Sequence, residues 1–215
     1  MLMTDRGLMA LARHEGIVPG PYRDSTGTWT FGIGHTAAAG LPDPSSMPRG
    51  MPQDLDAGIR EAFRVFRADL ARYEVDVLRA VTVPLAPHEF DALVSFHFNT
   101  GGISRASLAR HLNAGDRVAA ADAFLNWRKP ASIIPRREAE RDLFRHGRYP
   151  DGTIPVWSVD RTGRVDFSRP IRRLTETQAL DLLRPAKPAI SATPNLPTGW
   201  LARLAAILRR LFRRS

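Results

Sequence analysis

From about Leu55 to Val81 the chain repeats apolar side chains at helical spacing with no proline among them. Ile59, Ala62, Phe63, Phe66, Leu70, Tyr73, Val77 and Leu78 recur at steps of mostly three or four residues, the stripe of an amphipathic helix. About 25 residues of helix rise roughly 38 Å. A rod of that length is enough to tie two lobes together. The rest of the chain then has to supply what packs at either end of it.

On the N-terminal side the pattern is mixed. Thr4 and Asp5 are good N-caps, and Leu8, Leu11 and Ala12 put one apolar stripe on a first helix. Glu15 continues that face, Gly16 is a natural stop, and Pro19 and Pro21 forbid further helix. Tyr22-Arg23-Asp24, Ser25-Thr26-Gly27 and Thr28-Trp29-Thr30-Phe31 read as strand, turn, strand, with Gly32 and Gly34 allowing a bend. Residues 36–53, rich in Pro, Ala, Gly and Ser, read as an irregular loop.

On the C-terminal side, helices are expected from Pro87 through Phe98, Ser107 to Leu112, Val118 to Trp127 and Arg136 to Phe144. The first is broken by Asn99-Thr100-Gly101-Gly102. The expected class is α+β, mostly helical. A small hairpin-containing lobe spans about 1–54, a connecting helix 55–81 and a helical lobe 82–149.

Residues 150–185 form an extension, in which Ile154–Val159 and Arg164–Phe167 alternate like a hairpin around Asp160-Arg161-Thr162-Gly163. Thr175 to Leu183 reads as a short helix. Residues 186–199, rich in proline and small residues, read as an extended linker. No internal repeat is evident.

Composition narrows the class. The 215 residues, 43% of them hydrophobic, suffice for a sizeable core without staples. There is no cysteine, which excludes disulfides and thiolate metal sites. The net charge is +9, and only Lys129 and Lys187 are lysines, so arginine carries nearly all the positive charge. Such a chain is drawn to polyanions, including bacterial-envelope polymers and anionic membranes. No apolar run reaches the roughly 18 residues of a membrane span, and no signal peptide is expected at the N-terminus. The six histidines are scattered without paired-ligand spacing, so no metal or organic cofactor is expected.

Candidate chemistry sits near the N-terminus. Glycosidic hydrolysis needs an acid for the departing oxygen and a base or nucleophile across the sugar ring. Two carboxylates in different environments serve well. Glu15 ends an apolar helix stripe, Asp24 lies on a polar strand edge, and Thr30 offers a hydroxyl across the hairpin. Singly, each has an ordinary explanation: a solvated helix end, a turn former and a strand residue.

Together they carry a resemblance. His14-Glu15-Gly16, Tyr22-Arg23-Asp24, Gly27 and Thr30-Phe31-Gly32-Ile33-Gly34-His35 resemble the signature of the phage-type lysozymes, glycoside hydrolase family 24. The likeness continues through Leu85–Phe98, Phe98-Asn99-Thr100-Gly101, Leu108–Gly115 and Arg136-Arg137-Glu138-Ala139-Glu140, covering residues 4–149. It implies a two-lobed fold with a substrate cleft between the lobes. It also implies an endolysin that cuts peptidoglycan between N-acetylmuramic acid and N-acetylglucosamine with inversion, to lyse a host.

Glu15 would be the general acid, with Asp24 and Thr30 positioning water. Arg136 aligns with a family arginine that approaches the catalytic Glu. Asn99 aligns with a family glutamine that contacts the sugar chain. The resemblance gives His35 a structural role, while Trp29 is either a sugar-stacking or a lobe residue. Residues 36–53, 130–135 and everything after 149 depart from the family pattern.

The last segment stands apart. On a helical wheel, Trp200, Leu201, Leu204, Ile207, Leu208, Leu211 and Phe212 share one side, and Arg203, Arg209, Arg210, Arg213 and Arg214 the other. This basic amphipathic helix at 200–215 suits an anionic membrane surface. The expected protein is a monomer with no nucleic-acid partner, held in the host cytoplasm until release to the cell wall. The rivals are a lytic transglycosylase, or a membrane-active protein using the lysozyme body as a scaffold.

Overall fold

The expected rod is α2, Leu55–Ala80, capped by the Asp54 carboxylate on the Ala57 N–H at 3.0 Å. Ile59, Ala62, Phe63, Phe66, Leu70 and Val77 all turn inward. The computed structural model describes residues 1–184, which form one unit. The proline-rich linker at 186–199 and the basic helix at 200–215 lie outside the described residues. Among the described residues no helix is long and apolar enough to cross a membrane.

α1 (Asp5–Glu15) begins where Thr4 accepts a hydrogen bond from the Gly7 N–H. Its start is pinned to α3 (Pro87–Thr100), where the buried Asp91 carboxylate accepts from the Thr4 N–H, the Thr4 hydroxyl and the Tyr149 hydroxyl. A three-stranded antiparallel sheet follows: β1 (Val18–Arg23), β2 (Trp29–Gly32) and β3 (His35–Thr36). β1 starts earlier than the expected Tyr22. Its prolines lack N–H donors, so pairing with β2 is irregular between Val18 and Tyr22. β3 falls where the loop was expected to begin. Gly32 (φ 64°) lets the sheet approach α2, since a Cβ there would stand 3.0 Å from the Ala62 side chain.

The helical lobe is built round α3, whose Phe90, Ala92, Leu93, Val94 and Phe96 are fully buried. α4 (Ser107–Asn113), α5 (Arg117–Asp122) and α6 (Ile134–His146) complete it. The helix expected over 118–127 tightens into a 3-10 turn at Ala123–Asn126. This is the observed α+β, mostly helical architecture, with α2 running between the sheet and the helical lobe.

The extension departs from the single expected hairpin. β5 (Ser158–Val159) and β6 (Val165–Asp166) do pair across Asp160–Gly163. β4 (Ile154–Val156) instead pairs with β7 (Arg172–Leu174). The switch occurs at Trp157, whose N–H donates to the Ile17 carbonyl while the Ile17 N–H donates to Pro155. α7 (Glu176–Leu183) closes the unit, capped reciprocally by Thr175 and Gln178.

Candidate active site

Glu15 is the last residue of α1, and the chain around it is held on both sides. Gly16 stops the helix at φ 74°, and a Cβ there would stand 2.6 Å from Trp157 Nε1. Arg13 reaches the extension, donating to the carbonyls of Pro150 and Gly152.

From the other lobe, Arg136 Nη1 donates to Glu15 Oε1 at 2.6 Å. The guanidinium is itself fixed, Nε to Glu140 Oε1 at 3.1 Å and Nη2 to the Ser95 carbonyl at 3.3 Å. Arg136 is buried, so it is not a surface arginine of a basic helix. Glu140 also accepts from Ser95 Oγ (2.7 Å) and Arg137 Nη1 (2.5 Å). Burial pushes the Glu140 carboxyl up, against the pull of Arg137 and Arg136. Arg137 is wholly buried and also donates to Asn99 Oδ1.

Asp24 is organised differently, by its own turn. Its Oδ1 accepts from the Thr26 hydroxyl (2.7 Å) and from the N–H groups of Thr26 and Thr28 (2.9 Å each). The Thr26 hydroxyl, ahead of these backbone donors, holds the carboxyl below its usual range. Thr30 pairs with Tyr22 of β1 and Thr36 of β3, and its buried hydroxyl donates to the Thr28 carbonyl at 3.2 Å. The Tyr22 phenol is pushed up to about 12, mainly by burial and then by the charges of Asp24 and Glu15, against the Gly34 backbone. It remains a hydroxyl donor at neutral pH. His14 is held down to about 4 by desolvation and then by Arg136, Arg137 and Arg13, although the residue is exposed at the surface.

The structure thus joins Glu15 to Arg136 directly and Arg136 to Asn99 through Glu140 and Arg137. Asp24 and Thr30 sit together on the hairpin. Asn99 lines a cavity of about 730 Å³ with Trp127, Arg128 and Ile133. The guanidiniums of Arg49 (3.6 Å) and Arg23 (4.4 Å) lie over the Trp29 ring, whose edge lies against Gly163 of the extension, so Trp29 is a packing residue. His35 is structural, bonded to Asp69 and to the Pro42 carbonyl. Glu140, Arg137 and Ser95 were not singled out from sequence. The signal for the first two was the i, i+3 and i, i+4 spacing of Arg137 and Arg136 to Glu140.

A family model described as phage lysozyme matches residues 12–140, more than half of the chain. The endolysin of Salmonella phage P22 is 36% identical over 150 residues, covering 67% of this chain and 98% of that protein. Among solved structures, an endolysin from Escherichia coli O157:H7 phage FAHEc1 has a TM-score of 0.60 at 28% identity, covering 70% of this chain and 98% of its own. The muramidase domain of SpmX from Asticaccaulis excentricus has a TM-score of 0.55 at 27% identity, covering 66% and 97% respectively. The chain belongs to the phage lysozyme family and is a hydrolase of the endolysin kind.

Proposed function

We propose that this enzyme cleaves the β-1,4 bond between N-acetylmuramic acid and N-acetylglucosamine in peptidoglycan, inverting the anomeric carbon, in the service of host lysis. The observation that carries this reading is the 2.6 Å bond from Arg136 to Glu15 Oε1. It fixes one carboxyl oxygen, while Oε2 has no hydrogen bond among the described residues. Protonated there, Glu15 donates to the departing glycosidic oxygen as the C–O bond breaks.

Asp24 is prepared for the opposite role. Its turn occupies Oδ1 and favours the ionised form, and Oδ2 is left to accept a proton from water. The Thr30 hydroxyl donates to Thr28 and keeps lone pairs with which to accept from the same water. The attacking oxygen then joins the anomeric carbon opposite the leaving group, its proton passing to Asp24. Inverting hydrolases keep their two carboxyls roughly 6.5–9.5 Å apart to admit that water.

The test is Glu15→Gln. It keeps the acceptor facing Arg136 and removes the acid, so a folded variant should lose wall-clearing activity by at least 10²-fold, within the usual range for a general acid. Retained clearing overturns the assignment. Mass spectrometry of products on purified peptidoglycan should find hydrolysed reducing ends; anhydro ends would identify a transglycosylase.

A further inference from the structure

The matched family region ends at residue 140, so β4 to α7 lie beyond it. This added segment meets the body beside Asp24. Its turn Asp160-Arg161-Thr162-Gly163-Arg164 repeats the form of Asp24-Ser25-Thr26-Gly27-Thr28. In each turn the aspartate Oδ1 accepts from the hydroxyl and N–H of the threonine two residues on, and from the N–H four residues on. In each, the aspartate N–H donates to the carbonyl four residues on at 3.0 Å. The two turns are tied together by the Arg23 N–H on the Gly163 carbonyl at 2.8 Å.

Between them lies a cavity of about 610 Å³, walled by Tyr22, Asp24 and Ser25 on one side and Thr162, Arg164 and Phe167 on the other. That volume falls within the ~300–1,000 Å³ of small-molecule sites. Phe167 is 65% exposed, so it is not a core residue. It is nevertheless held, edge to face on Trp157 with ring centroids 5.4 Å apart. Trp157 in turn lies against Gly16, next to Glu15.

We infer that the extension builds an additional saccharide subsite beside Asp24, with Phe167 as the platform for the apolar C–H face of an N-acetylhexosamine. Thr162, Ser25 and Arg164 supply hydrogen bonds to the polar rim of the ring. The occupant is argued from continuity: the cavity shares Asp24 with the catalytic site, so a glycan strand threaded past Asp24 runs into it. The inference rests on the catalytic reading of Asp24 given above. Both turns are held by their own hydrogen bonds, so little ordering of them is needed on binding.

The experiment uses the full chain carrying Glu15→Gln, with glycan strands stripped of stem peptides and sorted by length. Affinity should rise with strand length and then plateau. Phe167→Ala should weaken binding of the longest strands by roughly 3- to 10-fold, the range of one aromatic contact. It should leave the shortest bound fragment unchanged, and Phe167→Tyr should restore the long-strand affinity. Equal affinity of Phe167→Ala and its parent at every length overturns the proposal, as does an equal loss at every length including the shortest. Wall clearing retained by Asp24→Asn would refute the catalytic reading of Asp24 instead, and the two failures are told apart because one reads binding and the other activity.

Discussion

Glu140→Gln is the sharpest test of how the site is held. Glu140 is 2% exposed and accepts three hydrogen bonds, from Ser95, Arg136 and Arg137. With Glu15 it balances two guanidiniums, one of them wholly buried. The amide preserves shape but leaves one positive charge uncompensated where water cannot reach it. Arg137 has little in reserve: its Nε already lacks a partner, and Asn99 offers only a neutral oxygen. Removing one member of a buried ion pair costs about 3–5 kcal/mol. For a chain of this size each kcal/mol moves the melting midpoint by roughly 2–4 °C, so the drop should be roughly 6–20 °C. Thermal melts and urea titration measure it directly. Glu138→Gln, on the exposed side of the same helix, should stay within about 0.5 kcal/mol of the parent and serves as the control. If Glu140→Gln does likewise, the four-charge network is not what secures Arg136. Below its midpoint the variant should also clear walls more slowly, because the amide keeps one acceptor for donors that share two oxygens in Glu140, which loosens the anchoring of Arg136 at Glu15.

Other perturbations reach different parts of the molecule. His14 should titrate near pH 4 by NMR; since the unfolded chain protonates it near 6.5, stability should fall slightly as pH drops from about 6.5 to 4, the effect being reduced by solvent screening, and that slope should vanish in His14→Gln, whereas a midpoint near 6.5 means that desolvation and the neighbouring arginines do not depress it. Gly16→Ala combines positive φ with a clash on Trp157, and a loss of at least about 1–2 kcal/mol is expected in denaturant titration; a neutral result means that Trp157 does not pack there. Cutting the chain after Thr198 removes five arginines of the basic segment, each worth about 1 kcal/mol at an anionic surface, and should abolish binding to anionic vesicles; unchanged binding removes the membrane role.

What could be read in advance follows from range. Helices α1, α2 and α3 were legible because their signals are local: a cap, a three-and-four spacing, a stopping glycine. Glu15, Asp24 and Thr30 stood out as a set only through the family resemblance, while local chemistry accounts for the Asp24 turn. Two features were not legible. Arg172-Arg173-Leu174 has no strand pattern, and it pairs with Ile154–Val156 only because the chain between them doubles back at Trp157. The resemblance pointed to Arg136 and the spacing hinted at its pairing with Glu140, but the burial of Arg136, Arg137 and Glu140 was not legible, since local reasoning assigns charged residues of a polar helix to the surface. Their burial depends on Ser95 and Asn99 of α3, some 40 residues away, and no window of sequence contains that.

The two carboxyls therefore depend on the fold in opposite ways. Asp24 is held within four residues of itself, so its geometry is independent of the helical lobe. Glu15 is held by a residue 121 positions away, so any shift of α6 reaches it. On the inverting mechanism proposed above the distance between the two groups has to be fixed, and only the segment from Gly16 to Arg23 links them covalently. The extension bonds to that segment at both ends, to Ile17 through Pro155 and Trp157 and to Arg23 through Gly163. Beyond lining a groove, it therefore braces the backbone that sets the separation of the two catalytic candidates. Weakening it at Trp157 should lower turnover even on fragments too short to touch Phe167.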